Sequence, residues 1–429
     1  MKMSAALLAL LLLSRGAPAQ TARAQIRTPS VAEVDAIYPD IEALYLDLHQ
    51  NPELAFQEVQ TAAKLAARLK ALGFEVTTGV GRTGIVGILK NGIGPVVMLR
   101  TELDALPVEE KTGLPYASKV KQVMHACGHD IHMSAWSGTA RLMAEHRDRW
   151  HGTLMMVGQP AEEGGGGASA MLKDGLFTRF PQPAYALSLH DDDTLAAGVI
   201  GYHPGNFRAM SDGVAITVFG RGGHAAMPYN TVDPVVLAAR IVMALQTIVS
   251  RENNPVDPVV LTIGSIHGGT QGNIIPDEVK LQLSVRTYTP AVRKRTLDAI
   301  RRIVKGEAES AGAARPPLVE AGEGATAVVY NDPALTLRLA AALKTGLGET
   351  NVVEMPAKMT SEDFAQYGLA GVPSALLHIG AVDPDKLARA RETGIPVPAP
   401  HSPEWAPDRE PTLKAAIRAE VTELLELLQ

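Results

Sequence analysis

Within one short run the chain reads His125-Ala126-Cys127-Gly128-His129-Asp130-Ile131-His132. Thiolate, imidazole and carboxylate in one place suit a borderline transition metal such as zinc or manganese, and not calcium or magnesium. The Cys-Gly-His spacing is too tight for a zinc-finger pair. Cys127 is also the sole cysteine of 429 residues, so it cannot enter an intrachain disulfide. A second element of chemistry follows in Gln159-Pro160-Ala161-Glu162-Glu163, ahead of four glycines, Gly164 to Gly167. Two adjacent carboxylates divide the labour of hydrolysis: one can hold a metal while its neighbour takes a proton from an activated water. Each piece alone is ordinary. A Glu-Glu pair is usually solvated surface, a glycine run a flexible loop, and a single histidine after a strand a structural residue. Their co-occurrence in one chain is the signal.

These clusters need a frame that brings them together. Apolar spacing predicts helices over Val34–Leu48 and Glu58–Leu72, the second stopped by Gly73. Short β-rich runs follow at Phe74–Thr78, Ile85–Leu89, Val96–Leu99, Leu154–Val157 and Ala184–Leu189. Strands alternating with helices predict an α/β fold with a mostly parallel, buried sheet, whose strand ends converge on one crevice. Three polar clusters sit just past such runs: Thr101-Glu102-Leu103-Asp104, Gln159 to Glu163, and His190-Asp191-Asp192-Asp193. The middle of the chain differs. Val214–Phe219, a helix over Val232–Val249, strands at Val259–Ile266 and Val279–Val285, a helix over Ala291–Ala311 and a strand near Leu318 form a β-α-β-β-α-β pattern. That is a ferredoxin-like α+β unit, expected over residues 209–327 as an insert in a catalytic unit of residues 25–208 and 328–429.

The whole chain narrows the partners. A formal charge of −6 and no basic run with interleaved aromatics give no reason to expect nucleic acid. Lys2 and the apolar run Ala5 to Leu13 resemble a signal-peptide core, too short to span a bilayer, with small-residue cleavage patterns ending at Ala19 and Ala24. Residues 1–24 are therefore expected to be removed on export to a periplasmic or secreted location, leaving a chain with no membrane span.

Eight ordered motifs sharpen the picture: Leu48-His49-Gln50-Asn51-Pro52-Glu53-Leu54, Asp104-Ala105-Leu106-Pro107, Met124 to Asp130, Gln159 to Gly165, Gly222-Gly223-His224-Ala225-Ala226, Asn273-Ile274-Ile275-Pro276, Ser361-Glu362-Asp363-Phe364 and His401-Ser402-Pro403. Together they resemble the M20 family of metallopeptidases, in its aminoacylase, hippurate hydrolase and auxin-conjugate amidohydrolase branch. The resemblance implies two divalent metal ions, zinc or manganese with cobalt or nickel as further options, held by Cys127, His129, Glu163, His190 and His401. It implies Glu162 as general base, and His224 as an oxyanion-stabilising residue reaching the partner subunit's site in a homodimer. Asn273 and Arg286 are substrate-binding candidates, Arg286 because a guanidinium matches a carboxylate. The expected reaction is hydrolysis of an N-acyl or N-aroyl amino acid. A dipeptidase or carboxypeptidase on the same centre, Cys127 as a nucleophile, and a non-catalytic binding protein are the alternatives.

The sequence departs from that branch at three places. Glu102 stands where aspartate is usual, which could shift the groups around the metals. His378 replaces an apolar strand residue and competes with His401 for a ligand role. Asp191-Asp192-Asp193 replaces an apolar stretch; it is read as a solvated loop, with an altered substrate charge preference as the alternative.

Overall fold

A computed structural model describes residues 28–164, 166–322 and 326–429; the expected signal segment lies outside the described residues. The main sheet has eight strands in the order Glu75–Val80, Gly84–Asn91, Gly152–Gln159, Val96–Glu102, Tyr185–Ala196, Ser374–Val382, Ile200–Tyr202, Val352–Glu354. Its central strands run parallel: Val96–Glu102 pairs with both Gly152–Gln159 and Tyr185–Ala196, and the last with Ser374–Val382. Being covered on both faces, they are nearly uniformly buried, and Ser374–Val382 is buried at every position. One face packs under the helices Val31–Gln50, His129–Glu145 and Arg409–Leu427, with Trp136 donating its indole N–H to the Leu99 carbonyl at 3.1 Å. Val31–Gln50 starts on a capping box, in which Ser30 and Glu33 satisfy each other's exposed amides.

The expected β-α-β-β-α-β run forms a second, four-stranded antiparallel sheet in the order Val259–His267, Glu278–Thr287, Met210–Phe219, Leu318–Ala321. Strands two, three, one and four of the run thus lie side by side, the ferredoxin-like order. The helices Pro234–Thr247 and Pro290–Ser310 pack on one face of it around Ile216, Ile241, Leu281 and Ile300. Strands Gly205–Arg208 and Val329–Asn331 pair where the chain leaves the main sheet and returns to it. Val31–Gln50 extends the predicted helix by a few residues at each end, and Val59–Ala71 falls one residue short of the prediction at each end. The helix His129–Glu145 had no sequence expectation. Its burial runs almost all round and takes in His129, Asp130 and His132, so no simple apolar stripe marks it, and its first two turns are buried.

The same burial produces a pH-sensitive element away from the crevice. Helix Arg409–Leu427 buries Glu420, whose Oε2 accepts a 2.6 Å bond from Thr139. Burial pushes its carboxyl up to about 8 despite that bond. An acid that holds its proton more tightly when folded stabilises the fold at low pH, and that contribution is lost as pH rises from its unfolded value toward 8. Glu420→Gln stays neutral throughout. Its melting temperature relative to the parent is expected to climb between pH 5 and pH 8; a pH-independent difference would show that Glu420 titrates alike in the folded and unfolded chains.

Candidate metal centre

The centre is built at the carboxyl edge of the parallel strands. Glu102 and Gln159, the last residues of their strands, are register partners. Arg100 pairs with Ser188, so His190, two residues on, lies level with Glu102. Cys127 leads into helix His129–Glu145 through Gly128, which has φ 73°. A side chain there would meet the Asp191 carboxylate, since a Cβ would lie 2.0 Å from its Oδ2; only glycine fits. Two other donors ride on strained, non-glycine backbone. Ala161 (φ 49°) immediately precedes Glu162, and His401 itself has φ 71°, its amide donating to the Ala126 carbonyl at 2.7 Å.

These elements bring five predicted residues together. Donor atoms of Cys127, His129 and His190 lie within 4.8 Å of one another, and so do those of Cys127, Glu163 and His401. The two groups share Cys127. His129, Glu162 and Glu163 form a third group of the same kind. Each imidazole is turned by its other nitrogen: Nδ1 of His129 donates to the Asp104 carbonyl at 2.7 Å, and Nδ1 of His190 to the Asp191 carbonyl at 2.8 Å. That leaves both Nε2 atoms facing inward, the arrangement of metal-binding histidines. Nε2 of His129 and Oε1 of Glu163 are buried without a hydrogen-bond partner.

The electrostatics call for cations. Burial drives the Cys127 thiol well up, and Glu163, Asp191 and Glu162 push the same way. A free nucleophilic cysteine needs the opposite shift, so this environment does not favour Cys127 as a nucleophile. Burial acts to lower His129, but Asp104, Glu102 and Glu163 outweigh it and hold it at about 10, a site that favours positive charge at Nε2. Burial acts to raise Glu163, yet His401, 3.1 Å away, and His129 bring it to about 2. Burial and then the carboxylates of Glu362, Glu163 and Asp363 push Glu162 up, making it a stronger base than an ordinary glutamate. A thiol, three imidazoles and two carboxylates converging on one another, with Nε2 of His129 and Oε1 of Glu163 lacking a hydrogen-bond partner, fit two transition-metal ions.

His378 is not a ligand. Its Nδ1 bonds Asp192 at 2.5 Å and its Nε2 bonds Arg208 at 3.0 Å, so neither nitrogen is left. Asp191-Asp192-Asp193 is not a solvated loop either: it lies inside strand Tyr185–Ala196, with Asp191 and Asp192 buried. Asp191 reaches His132, His190 and the Trp405 indole. Glu102 bridges Arg100 and His132. Arg286 is half-buried on the second sheet, its Nη1 donating to Ser361 at 2.8 Å, with no carboxylate paired to it among the described residues. His224 and Asn273 meet each other, the Asn273 carbonyl accepting from Ala225, but both are exposed and neither joins the donor groups.

Sequence reasoning missed Asp104. Its Oδ1 and Oδ2 accept from the backbone amides of Glu162 and Glu163, at 3.0 and 2.9 Å, while its carbonyl orients His129. The motif holding Asp104 was visible, but not that its target lay almost sixty residues on. It also missed the buried web in which Arg100 binds Glu102, Gln159, Glu362 and Asp363.

The comparisons agree with this geometry. Residues 98–393 match the model of peptidase family M20/M25/M40. The chain belongs to that family. It is 38% identical over 335 residues to the N-acetyl-L-cysteine deacetylase of Bacillus subtilis, covering 78% of each chain. It is 36% identical over 337 residues to thermostable carboxypeptidase 2 of Saccharolobus solfataricus, covering 78% of this chain and 84% of that one. The fold superposes with a TM-score of 0.75, at 28% identity and over 92% of this chain and 99% of the other, on the YXEP protein of Bacillus subtilis, described as a dinuclear metal-binding peptidase of the M20 family.

The Asp104 arrangement makes a direct prediction. Asp104→Ala leaves two amides unpaired, at about 1–3 kcal/mol each, and frees the turn carrying Glu162 and Glu163. Turnover is expected to fall by about 10²-fold, with Asp104→Asn, which keeps one acceptor, in between. Parent-like turnover in the alanine variant would show that the turn holds itself.

Proposed function

We propose that this protein hydrolyses the amide bond of N-acyl or N-aroyl amino acids, yielding a carboxylic acid and a free amino acid, at a pair of divalent metal ions. The observation that carries the reading is the pair of donor groups sharing Cys127, with Glu162 beside them. Cys127, His129, Glu163, His190 and His401 would hold the metals, zinc or manganese by their donor chemistry, with cobalt or nickel also suited. Bound there, they would polarise the scissile carbonyl and acidify water. Glu162, raised in basicity by its carboxylate neighbours, takes the proton of the attacking water and hands it to the leaving amine. Arg286, a half-buried guanidinium without an acidic partner, suits the substrate's α-carboxylate. The deacetylase relative supports an acylated amino acid; the carboxypeptidase relative favours a second reading, a dipeptide or peptide C-terminus on the same centre.

His224 and Asn273 fit this scheme through a second copy of the chain. Helix Pro234–Thr247 turns Val235, Val236 and Met243 outward, and Val259–His267 is an open sheet edge exposing Val260 and Ile266. The stretch Pro234–Glu252 is apolar and long enough to cross a membrane by composition alone. We assign that face to a homodimer instead, because it lies on a folded sheet unit and an open edge invites pairing. Export, with removal of residues 1–19 or 1–24, is part of the same proposal and rests on the leader-like pattern.

Glu162→Gln is expected to retain both metals by elemental analysis but to lose at least about 10²-fold in kcat, the lower range for general-base catalysis. N-acetyl amino acids and hippurate should be turned over faster than dipeptides; the reverse order would install the peptidase reading. Sedimentation of the exported protein should give a dimer whose N-terminal sequence begins at residue 20 or 25, and Met243→Glu should make it monomeric and slow. A fully active monomer, or one that binds lipid vesicles through this face, would remove His224 from the partner's site.

A further inference from the structure

Beside the metal centre lies a cationic group that the scheme above does not use. Arg208 ends the strand Gly205–Arg208, with its side chain only 7% exposed. Of the five N–H groups of a guanidinium, one is accounted for: Nη2 donates to Nε2 of His378 at 3.0 Å. Its Nε is buried without a partner, and Nη1 stands 3.8 Å from Glu362, beyond hydrogen-bonding distance. Leaving buried donors unmade is costly unless something arrives to take them.

The side chain is nevertheless held firmly. Asp192 accepts from Nδ1 of His378 at 2.5 Å, which fixes the tautomer and turns the lone pair of Nε2 toward Arg208. Lys358 closes the frame: its Nζ lies 2.5 Å from Asp192, and its backbone bridges to Arg208. Arg208 is also next to the chemistry. Its charge is felt by Cys127 and His190, and Glu362 groups with Glu162 within 4.8 Å. Arg286 sits on Ser361, the residue before Glu362. Two guanidinium groups thus flank the same segment: Arg208 ion-pairs with Glu362 at 3.8 Å without a hydrogen bond, and Arg286 has no carboxylate partner among the described residues. One is enough for an α-carboxylate.

We propose that Arg208, positioned by Asp192 and His378, is a specificity-determining residue that binds a second carboxylate of the substrate, so that the preferred substrates are N-acyl derivatives of acidic amino acids. The proposal rests on the amidohydrolase reading and deepens it. It also gives the Asp191-Asp192-Asp193 departure a consequence: Asp192 changes substrate charge preference by orienting an arginine, not by meeting the substrate.

The test compares kcat/KM of the metal-loaded, full-length enzyme for N-acetyl-L-aspartate and N-acetyl-L-glutamate with values for N-acetyl-L-alanine and N-acetyl-L-methionine. The parent is expected to favour the acidic pair. Arg208→Met should lower kcat/KM for the acidic pair at least about tenfold more than for the neutral pair, the scale of one charge-assisted hydrogen bond. The loss should appear mainly in KM, and Arg208→Lys should recover part of it; melting curves check that both variants fold. Equal losses on both substrate classes, or a parent that favours the neutral pair, would overturn the assignment while leaving the amidohydrolase intact. Turnover of neither class would overturn the amidohydrolase reading and this inference with it.

Discussion

Everything at the crevice depends on an excess of buried carboxylate at one edge of the large sheet. Glu102, Asp104, Glu163, Asp191, Asp192, Glu362 and Asp363 crowd there with few fixed cations. Burying unpaired charge in a low-dielectric interior is among the costliest arrangements a protein can adopt, so each group must find a counter-charge or a donor. Arg100 answers Glu102, Glu362 and Asp363; backbone amides answer Asp104; imidazoles and the Trp405 indole answer Asp191. Glu163 and the Cys127 sulfur are left facing histidines, of which His129 is held up at about 10 by the surrounding carboxylates, a demand for positive charge. A pair of divalent ions would meet that demand, and the same ions would explain why a thiol is tolerated among carboxylates.

The hierarchy of the site follows from which answer each carboxylate receives. Groups answered by backbone are geometric: Asp104 ties the strand end Val96–Glu102 to the Glu162 turn and, through its carbonyl, to helix His129–Glu145. Groups answered by Arg100 are walls, fully buried and unable to exchange partners with substrate. Glu162 alone faces carboxylates with its charge unanswered, partly open to the crevice. That isolation suits a base, since burial and carboxylate neighbours raise its affinity for a proton.

Much of this was legible in the sequence because the chemistry is carried by short motifs. Cys127, His129, Glu163, His190 and His401 were named from them, and strands such as Ile85–Leu89 and Leu154–Val157 from apolar runs that a doubly covered sheet requires. What was not legible was long-range or unpatterned. Helix His129–Glu145 lacks amphipathic spacing because it is buried nearly all round. Asp191-Asp192-Asp193 looked like a solvated loop because three adjacent carboxylates are rarely buried; each of the first two is buried only because a partner far along the chain, His378 or Trp405, waits for it. No local pattern records such a partner.

The departures at residues 192 and 378 gain sense as one adjustment. His378 pairs with His190 across neighbouring parallel strands, so an apolar residue there would leave Asp192 buried beside Lys358 with one partner fewer. An aspartate at position 192 without His378 would in turn compete for Arg208 directly, drawing its guanidinium away from the crevice. With the imidazole between them, the carboxylate keeps its proton donor and the arginine keeps its free N–H groups. The histidine acts as a spacer that separates opposite charges which would otherwise cancel. A protein whose substrate carried no further charge would have no use for that separation, since a direct ion pair would stabilise the fold more.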